Sequence, residues 1–350
     1  MSGDILIRKE GRAGRITLNR PDALNALTYD MILRIDAILA EWRFEDDVNL
    51  VVIDAAGDRA FCSGGDIVDM YETGKAGDYG YGRRFWRDEY RMNAVIATYP
   101  KPVVSFLQGF TMGGGVGVGC HASHRVVCES SKIAMPEVSI GLIPDVGGTY
   151  LLGRAPGRLG EYLGLTATRM GPGDAILVGF ADHFVPVEQW PEVIDALTST
   201  GDVHRLTNAA HSAPQSPLEA QSETIRRYFQ GETLGDIVSR LESETDEIAQ
   251  NALKALNRNA PLATACALAM IRRARVEKDI HKALFQEFRY VWRAAEQGDF
   301  VEGIRAAIID KDRSPKWAHD GPKAVQPADV SAMLKPLGED DLKFETEEKP

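Results

Sequence analysis

Three segments of this 350-residue chain combine residue types that can do chemistry. The first is FCSGGD at residues 61–66 and the second is GFTMGGGVGVG at residues 109–119. Each glycine loop follows a β-branched run and leads into a helical pattern, where backbone N–H groups lack intrahelical partners and point outward. Without Cβ atoms, such loops let a ligand approach the backbone closely. Two of them aimed at one point would form an oxyanion hole. The third segment is AMPEVSIGLIPDVGG at residues 134–148, which sets Glu137 and Asp145 in an apolar stretch broken by proline and glycine. Carboxyl groups in such surroundings have raised pKa values, which suits acid–base work near neutral pH.

Plainer accounts exist for each part. Any one glycine can serve close strand–helix packing, and any one acid can cap a helix or pair with an arginine. The coincidence of all three segments favours chemistry. Nucleotide binding fails on spacing, since neither loop reads GxxxxGK[ST] and the second lacks the glycine positions of GxGxxG. His121 and His124 form an HxxH without a third ligand at metal spacing. Cys62 and Cys120 flank the loops with no His–Asp partner legible in the spacing, and Lys101, Arg83 and Arg84 read as solvated charges.

The elements that must hold these loops belong to an α/β protein. Residues 5–7 and 16–18 read as two strands around a glycine turn, and residues 48–54, 102–107 and 182–185 as further strands. Ile32, Ile35, Leu39 and Trp42 fall at helical spacing, with Thr28 placed to cap. Helix signals also follow the MGGG at 112–115 and span 158–165 and 173–178. From about Pro186 the pattern becomes helical, with periods at 217–229, 234–241, 245–256, 262–275 and 280–296. The last stretch is rich in proline and charge and reads as frayed at its end.

Composition narrows the options. Hydrophobic residues make up 44% and charged residues 26%, ordinary values for a globular chain. Lys and Arg total 40 against 51 Asp and Glu, for a formal net charge of −11. Such a surface repels nucleic acid and anionic lipid in bulk. No apolar run reaches a membrane-spanning length, and the start has no secretory h-region. Four cysteines without a CxxC pair point to a reducing compartment, read as cytoplasmic.

Taken together, these segments resemble the crotonase (enoyl-CoA hydratase/isomerase) superfamily. ITLNRPDALNAL at 16–27 is similar to its N-terminal signature, FCSGGD to its first oxyanion loop and GFTMGGGVG to its second. Within the superfamily, the chain most resembles the 3-hydroxyisobutyryl-CoA hydrolase subfamily. That likeness is carried by GGGVGVGCHASHRV at 113–126, AMPEVSIGLIPDVGG, GDFVEGIRAAIIDKDRSPKW at 298–317 and LGEDDLKF at 337–344.

The resemblance implies a crotonase-like ββα spiral core with the CoA-thioester site over residues 1–190, a helical C-terminal region over 191–325 and a partly flexible tail over 326–350. It implies an oxyanion hole from the Gly65 and Gly114 N–H groups and catalysis by Glu137 and Asp145. Coenzyme A and substrate contacts are expected from Leu24, Asn25, Ala26, Ser63, Gly64, Asp66 and Gly117. Hydratases of the superfamily carry a catalytic glutamate at the position of Gly117, so the two-glutamate route to hydration looks closed here. The activity implied is hydrolysis of a short 3-hydroxyacyl-CoA, with Glu137 either attacking the carbonyl or activating water. The substrate would be 3-hydroxyisobutyryl-CoA, an intermediate of valine degradation. No cofactor is expected beyond the coenzyme A of the substrate, no metal, and no nucleic-acid or membrane partner. A homo-oligomer is an open expectation. The alternatives are an enoyl-CoA hydratase/isomerase with atypical acids and a non-catalytic acyl-CoA-binding member.

Overall fold

A computed structural model describes residues 3–344. The chain opens with the expected hairpin, β1 (Ile5–Glu10) paired antiparallel with β2 (Ala13–Leu18). Helix α1 (Tyr29–Trp42) follows. The Thr28 hydroxyl accepts from the Met31 N–H at 3.3 Å, and the stripe of Ile32, Ile35, Leu39 and Trp42 is buried as its spacing predicts.

The next strands are β3 (Leu50–Ala55), β4 (Ala60–Cys62), β5 (Val103–Phe106), β6 (Phe110–Met112), β7 (His124–Val127), β8 (Lys132–Ala134) and β9 (His183–Phe184). They deal alternately into two sheets. One has the order β1-β2-β3-β5-β7-β9 and the other β4-β6-β8. Every pairing after the hairpin is parallel. Helices α2 (Val68–Lys75) and α3 (Gly80–Ala97) return the chain after the first pair of strands, and α4 (Gly114–Gly119) after the second. A 3-10 turn, Glu137–Ile140, follows the third. This repetition of two strands and a helical return is the ββα spiral.

Strand periodicity sorts the core. Leu50, Val52, Val104, Phe106 and Val126 face one cluster, while Val51, Ile53 and Val103 face the other. Helices α5 (Gly148–Arg154), α6 (Leu159–Thr166) and α7 (Pro172–Leu177) precede β9. Then α8 (Trp190–Thr200) and α9 (His204–Ala209) cover the first face, with Trp190 edge-on to Phe106 at 5.1 Å between ring centroids.

The remaining helices are α10 (Pro217–Tyr228), α11 (Leu234–Glu242), α12 (Glu247–Arg258), α13 (Pro261–Glu277), α14 (Ile280–Gln297), α15 (Phe300–Ile304) and α16 (Pro327–Leu334). They share one buried cluster with the spiral, running from Ile16 in β2 to Phe288, Phe300 and Met333. The part of the expected tail that is described is anchored, with Leu342 buried and Arg289 donating to Asp341 at 2.9 and 3.1 Å. Residues 345–350 of that tail lie outside the described residues. Among the described residues no helix is long and apolar enough to cross a membrane.

Candidate active site

Parallel pairing brings the three motif segments together. The C-terminal ends of β4, β6 and β8 emerge at one edge of the small sheet, and there the chain runs into 63–66, 113–115 and 135–137. The first loop is held by a neighbouring segment: Ser63 N–H donates to Leu24 O, Leu27 N–H to Gly64 O, and Asp66 N–H to Leu27 O, at 3.0, 2.9 and 2.8 Å. This one-sided pairing leaves the Gly65 N–H facing the other way. Gly114 is the first residue of α4, so its N–H has no intrahelical acceptor. Among the described residues neither amide has a hydrogen-bond partner. A Cβ built on Gly114 would stand 3.2 Å from the Gly65 nitrogen, and one on Gly64 would stand 3.8 Å from the Gly114 nitrogen. Two free donors therefore converge, as an oxyanion hole requires.

The cavity at this point has a volume of about 250 Å³ and is lined by Ser63, Gly64, Gly65, Gly113 and Gly114 together with Glu137 and Asp145. A larger cleft of about 890 Å³ lies against α13 and α14 but touches neither glycine loop. Gly113 has a φ of +51°, and a Cβ there would come within 2.7 Å of Glu137 Oε1. The Glu137 carboxyl thus lies over the glycine triplet. It is buried, and its Oε2 has no hydrogen-bond partner among the described residues. Burial raises its pKa well above the usual carboxylate range, and the charge of Asp145 adds to the rise.

Asp145 is set by α3 and by a strained turn. Tyr90 donates its hydroxyl to Asp145 Oδ2 at 2.8 Å. Burial pushes the Asp145 carboxyl up to about 7, against the pull of that hydrogen bond. The next residue, Val146, has a φ of +53°. A β-branched residue seldom adopts this conformation, which is stored strain. Its surroundings hold it there: His121 Nε2 donates to Val146 O at 2.7 Å, and Gly147 N–H donates to Glu287 Oε2 at 2.7 Å. Thr149 N–H donates to Glu287 Oε1 at 3.0 Å. The His121 ring is buried and pushed down to about 4, so it is neutral at neutral pH.

Helix α3 also carries an acid that sequence reasoning missed. Glu89 is buried and lines the cavity, its Oε1 unpartnered among the described residues and 2.8 Å from where a Gly114 Cβ would stand. Burial, and then the Asp145 charge, raise its pKa well above the ordinary value. The site therefore holds three carboxyl groups rather than the expected two.

Other expected residues lie elsewhere. Gly117 is absent from the cavity wall, because a Cβ there would meet Asn93 Nδ2 at 2.7 Å and Val146 Cβ at 2.8 Å. Asn25 is buried and turned inward, accepting from Arg20 N–H at 2.8 Å and donating to the carbonyls of Ala56 and Ala60, both at 2.9 Å. Leu24 and Ala26 are half-buried beside the first loop. Asp66 accepts from Arg20 at 3.1 Å, and Arg20 also donates to Ala26 O at 2.6 Å. Lys101 caps the end of α1 through Trp42 O and Glu45 O, and Arg83 docks α3 on Trp292 O and Glu296.

All four cysteines are buried and unbridged, and burial pushes the Cys62 thiol up to about 12, unsuited to nucleophilic attack. His121 and His124 do not converge, since His124 stacks on His183 at 6.1 Å. Among the described residues no group of three or more His, Cys, Asp or Glu side chains is arranged to hold a metal ion.

The layered spiral, with two unpaired amides set beside buried acids, defines an α/β protein of two sheets, parallel-paired beyond the first hairpin, with its pocket at the strand ends. The chain belongs to the enoyl-CoA hydratase/isomerase family, whose profile matches residues 13–334. It is 38% identical to the mitochondrial 3-hydroxyisobutyryl-CoA hydrolase of Danio rerio, over 97% of this chain and 92% of that one. It is 36% identical to the protein of the same name from Gallus gallus, over 98% and 91%. A crystal structure described as an enoyl-CoA hydratase from Rhodobacter sphaeroides 2.4.1 superposes with a TM-score of 0.95 at 56% identity, covering 98% of this chain and 100% of that one.

Proposed function

We propose that the chain hydrolyses the thioester of a short 3-hydroxyacyl-CoA, with 3-hydroxyisobutyryl-CoA as substrate and 3-hydroxyisobutyrate and free CoA as products. The observation that carries this reading is the convergence of two free amides, Gly65 and Gly114, next to a buried carboxyl at Glu137 with an unpartnered oxygen. The curated relatives named above support the choice of substrate.

The two N–H groups polarise the thioester carbonyl and bind the oxyanion as it forms. Once it has given up its proton, Glu137 either attacks that carbon to give a mixed anhydride or takes a proton from an attacking water. When the tetrahedral species collapses, the C–S bond breaks and the thiolate leaves with its electron pair. On the anhydride route a water then attacks the Glu137 carbonyl carbon, the bond from that carbon to the bridging oxygen breaks, and the hydroxy acid leaves. Asp145 supplies the thiolate's proton or holds the substrate hydroxyl. The scheme needs no cofactor beyond the coenzyme A carried by the substrate. Thiol release from 3-hydroxyisobutyryl-CoA tests the reaction, and its absence across short 3-hydroxyacyl-CoAs would reject it. Single turnover in oxygen-18 water separates the two roles, because only the anhydride route delivers label into the Glu137 side chain.

One observation favours a second reading, hydration of an enoyl-CoA. Glu89 gives the cavity a second glutamate beside Glu137, although Gly117 supplies none, and the relative from Rhodobacter is described as a hydratase. Crotonyl-CoA offered in parallel discriminates: loss of its enoyl absorbance without free thiol is hydration. Four unbridged cysteines support a reducing compartment, taken as the cytoplasm. Vertebrate relatives are named mitochondrial, and cell fractionation decides between the two. Light scattering reads the oligomeric state.

A further inference from the structure

We infer that Phe300 and Ile308, from the C-terminal part of the chain, set the acyl-length limit of the cavity: they admit a short branched acyl group and stop a longer one. The inference rests on the thioester reading above and adds its specificity. At about 250 Å³ the cavity is small, below the roughly 300–1,000 Å³ usual for ligand pockets. Apart from its three acids, the lining beyond the glycine loops is apolar and comes from distant elements. Trp86 of α3 and Phe300 of α15 meet with ring centroids 5.5 Å apart, both buried. Ile308 completes the lining from the π-helical turn Arg305–Ile309.

This wall is fixed rather than pliant. The backbone of α15 lies directly on the turn that carries Glu137: a Cβ on Gly303 would fall 2.1 Å from Ile140 O, and one on Gly141 would fall 2.5 Å from Asp299 O. Two glycines thus allow main chain to touch main chain, so the backbone that bears Phe300 cannot shift without moving the turn that carries Glu137. The π-helical turn is tied at its first residue. Arg305 donates to Glu302 at 2.8 Å and to Asp310 and Asp312, both at 2.7 Å. An acyl chain held at the two free amides shares this small cavity with Phe300 and Ile308, and a close-packed wall does not yield to an added methylene.

The test compares full-length wild type with Ile308→Ala, Phe300→Leu and Ile308→Phe. The readout is the ratio of kcat/KM for 3-hydroxyhexanoyl-CoA to that for 3-hydroxybutyryl-CoA. Ile308→Ala and Phe300→Leu should raise this ratio about tenfold or more, and Ile308→Phe should lower it, a misfitting methylene being worth roughly 10- to 200-fold. Ile308 is half-buried, so its variants keep the chain folded, which melting curves check. Ratios within about twofold of wild type in folded variants would overturn the inference, since a merely structural wall affects both substrates equally. The same two esters are titrated by calorimetry in the Glu137→Gln background. That reads the length limit even if wild type releases no thiol, an outcome that would reject the hydrolase reading alone.

Discussion

Tyr90 and Asp145 are joined by a 2.8 Å hydrogen bond between a helix of the spiral and the loop that ends the third motif. Both groups are buried, and the tyrosine hydroxyl is what draws the aspartate's pKa back toward neutrality. Tyr90→Phe removes that donor while keeping the ring. We expect the limb of the pH–rate profile that belongs to Asp145 to move to higher pH. A hydrogen bond to a charged group is worth about 1.5–3 kcal/mol, or roughly one to two pH units. A profile that coincides with wild type would separate Asp145 from the chemistry.

Glu137→Gln keeps the shape of the side chain and removes its basicity. Loss of a positioned base costs about 10²–10⁴ in rate, and loss of a nucleophile costs at least as much. Binding of a CoA ester should persist, because the amides and the rest of the cavity wall are untouched and glutamine keeps the side chain's shape. Steady-state kinetics with a parallel titration reads the split. A variant that retains most of its kcat would remove Glu137 from its proposed role.

Gly114→Ala tests the oxyanion hole by occupying it. The added methyl would stand 2.8 Å from Glu89 Oε1 and 3.2 Å from the Gly65 nitrogen, where a carbonyl oxygen has to sit. We expect kcat to fall by about 10²–10³, the loss typical when one donor is removed. The melting temperature should change far less than the rate, and a comparable collapse of both would point to misfolding instead.

The buried acids also make stability depend on pH. Asp145 titrates near 7 and Glu287 near 8, while Glu89 and Glu137 lie well above the ordinary value, chiefly because all four are buried. In the unfolded chain these groups titrate near pH 4, so above that pH the folded chain holds protons that unfolding would release. Stability is therefore fullest at the low end of this window and is lost as pH rises through about 7 to 8. Melting curves should show a falling midpoint between about pH 5 and 9, and Glu287→Gln should flatten the slope.

The parts of the site that lie on single loops were legible in the sequence, because a glycine run before a helix and an acid in an apolar stretch are local signals. Helix α3 was not. Its buried stripe runs Phe85, Glu89, Asn93, Ile96 beside Trp86 and Tyr90, and the polar members interrupt the apolar period that marks an amphipathic helix. The small sheet was missed because β4, β6 and β8 have three residues each, too few for a period of two to register. Glu287, Phe300 and Ile308 reach the site only through tertiary packing, which no spacing encodes. Asn25 illustrates the opposite limit: its place in the N-terminal motif is clear, yet only the fold reveals that its amide joins Arg20 to the loop at 56–60.

The hydrogen bonds from Gly147 and Thr149 to Glu287, and the closure of the cavity by Phe300, bear on how the protein is made. Residues 89, 137 and 145 leave the ribosome long before 287 and 300 do. Until α14 and α15 dock, the turn at Val146 has lost one of its two restraints and the three acids face water, where their pKa values relax toward ordinary ones. A growing chain thus carries the two glycine loops and the Glu137–Asp145 segment before it can enclose them. The cavity is enclosed only once the segment that carries α14 and α15 has been made and has docked.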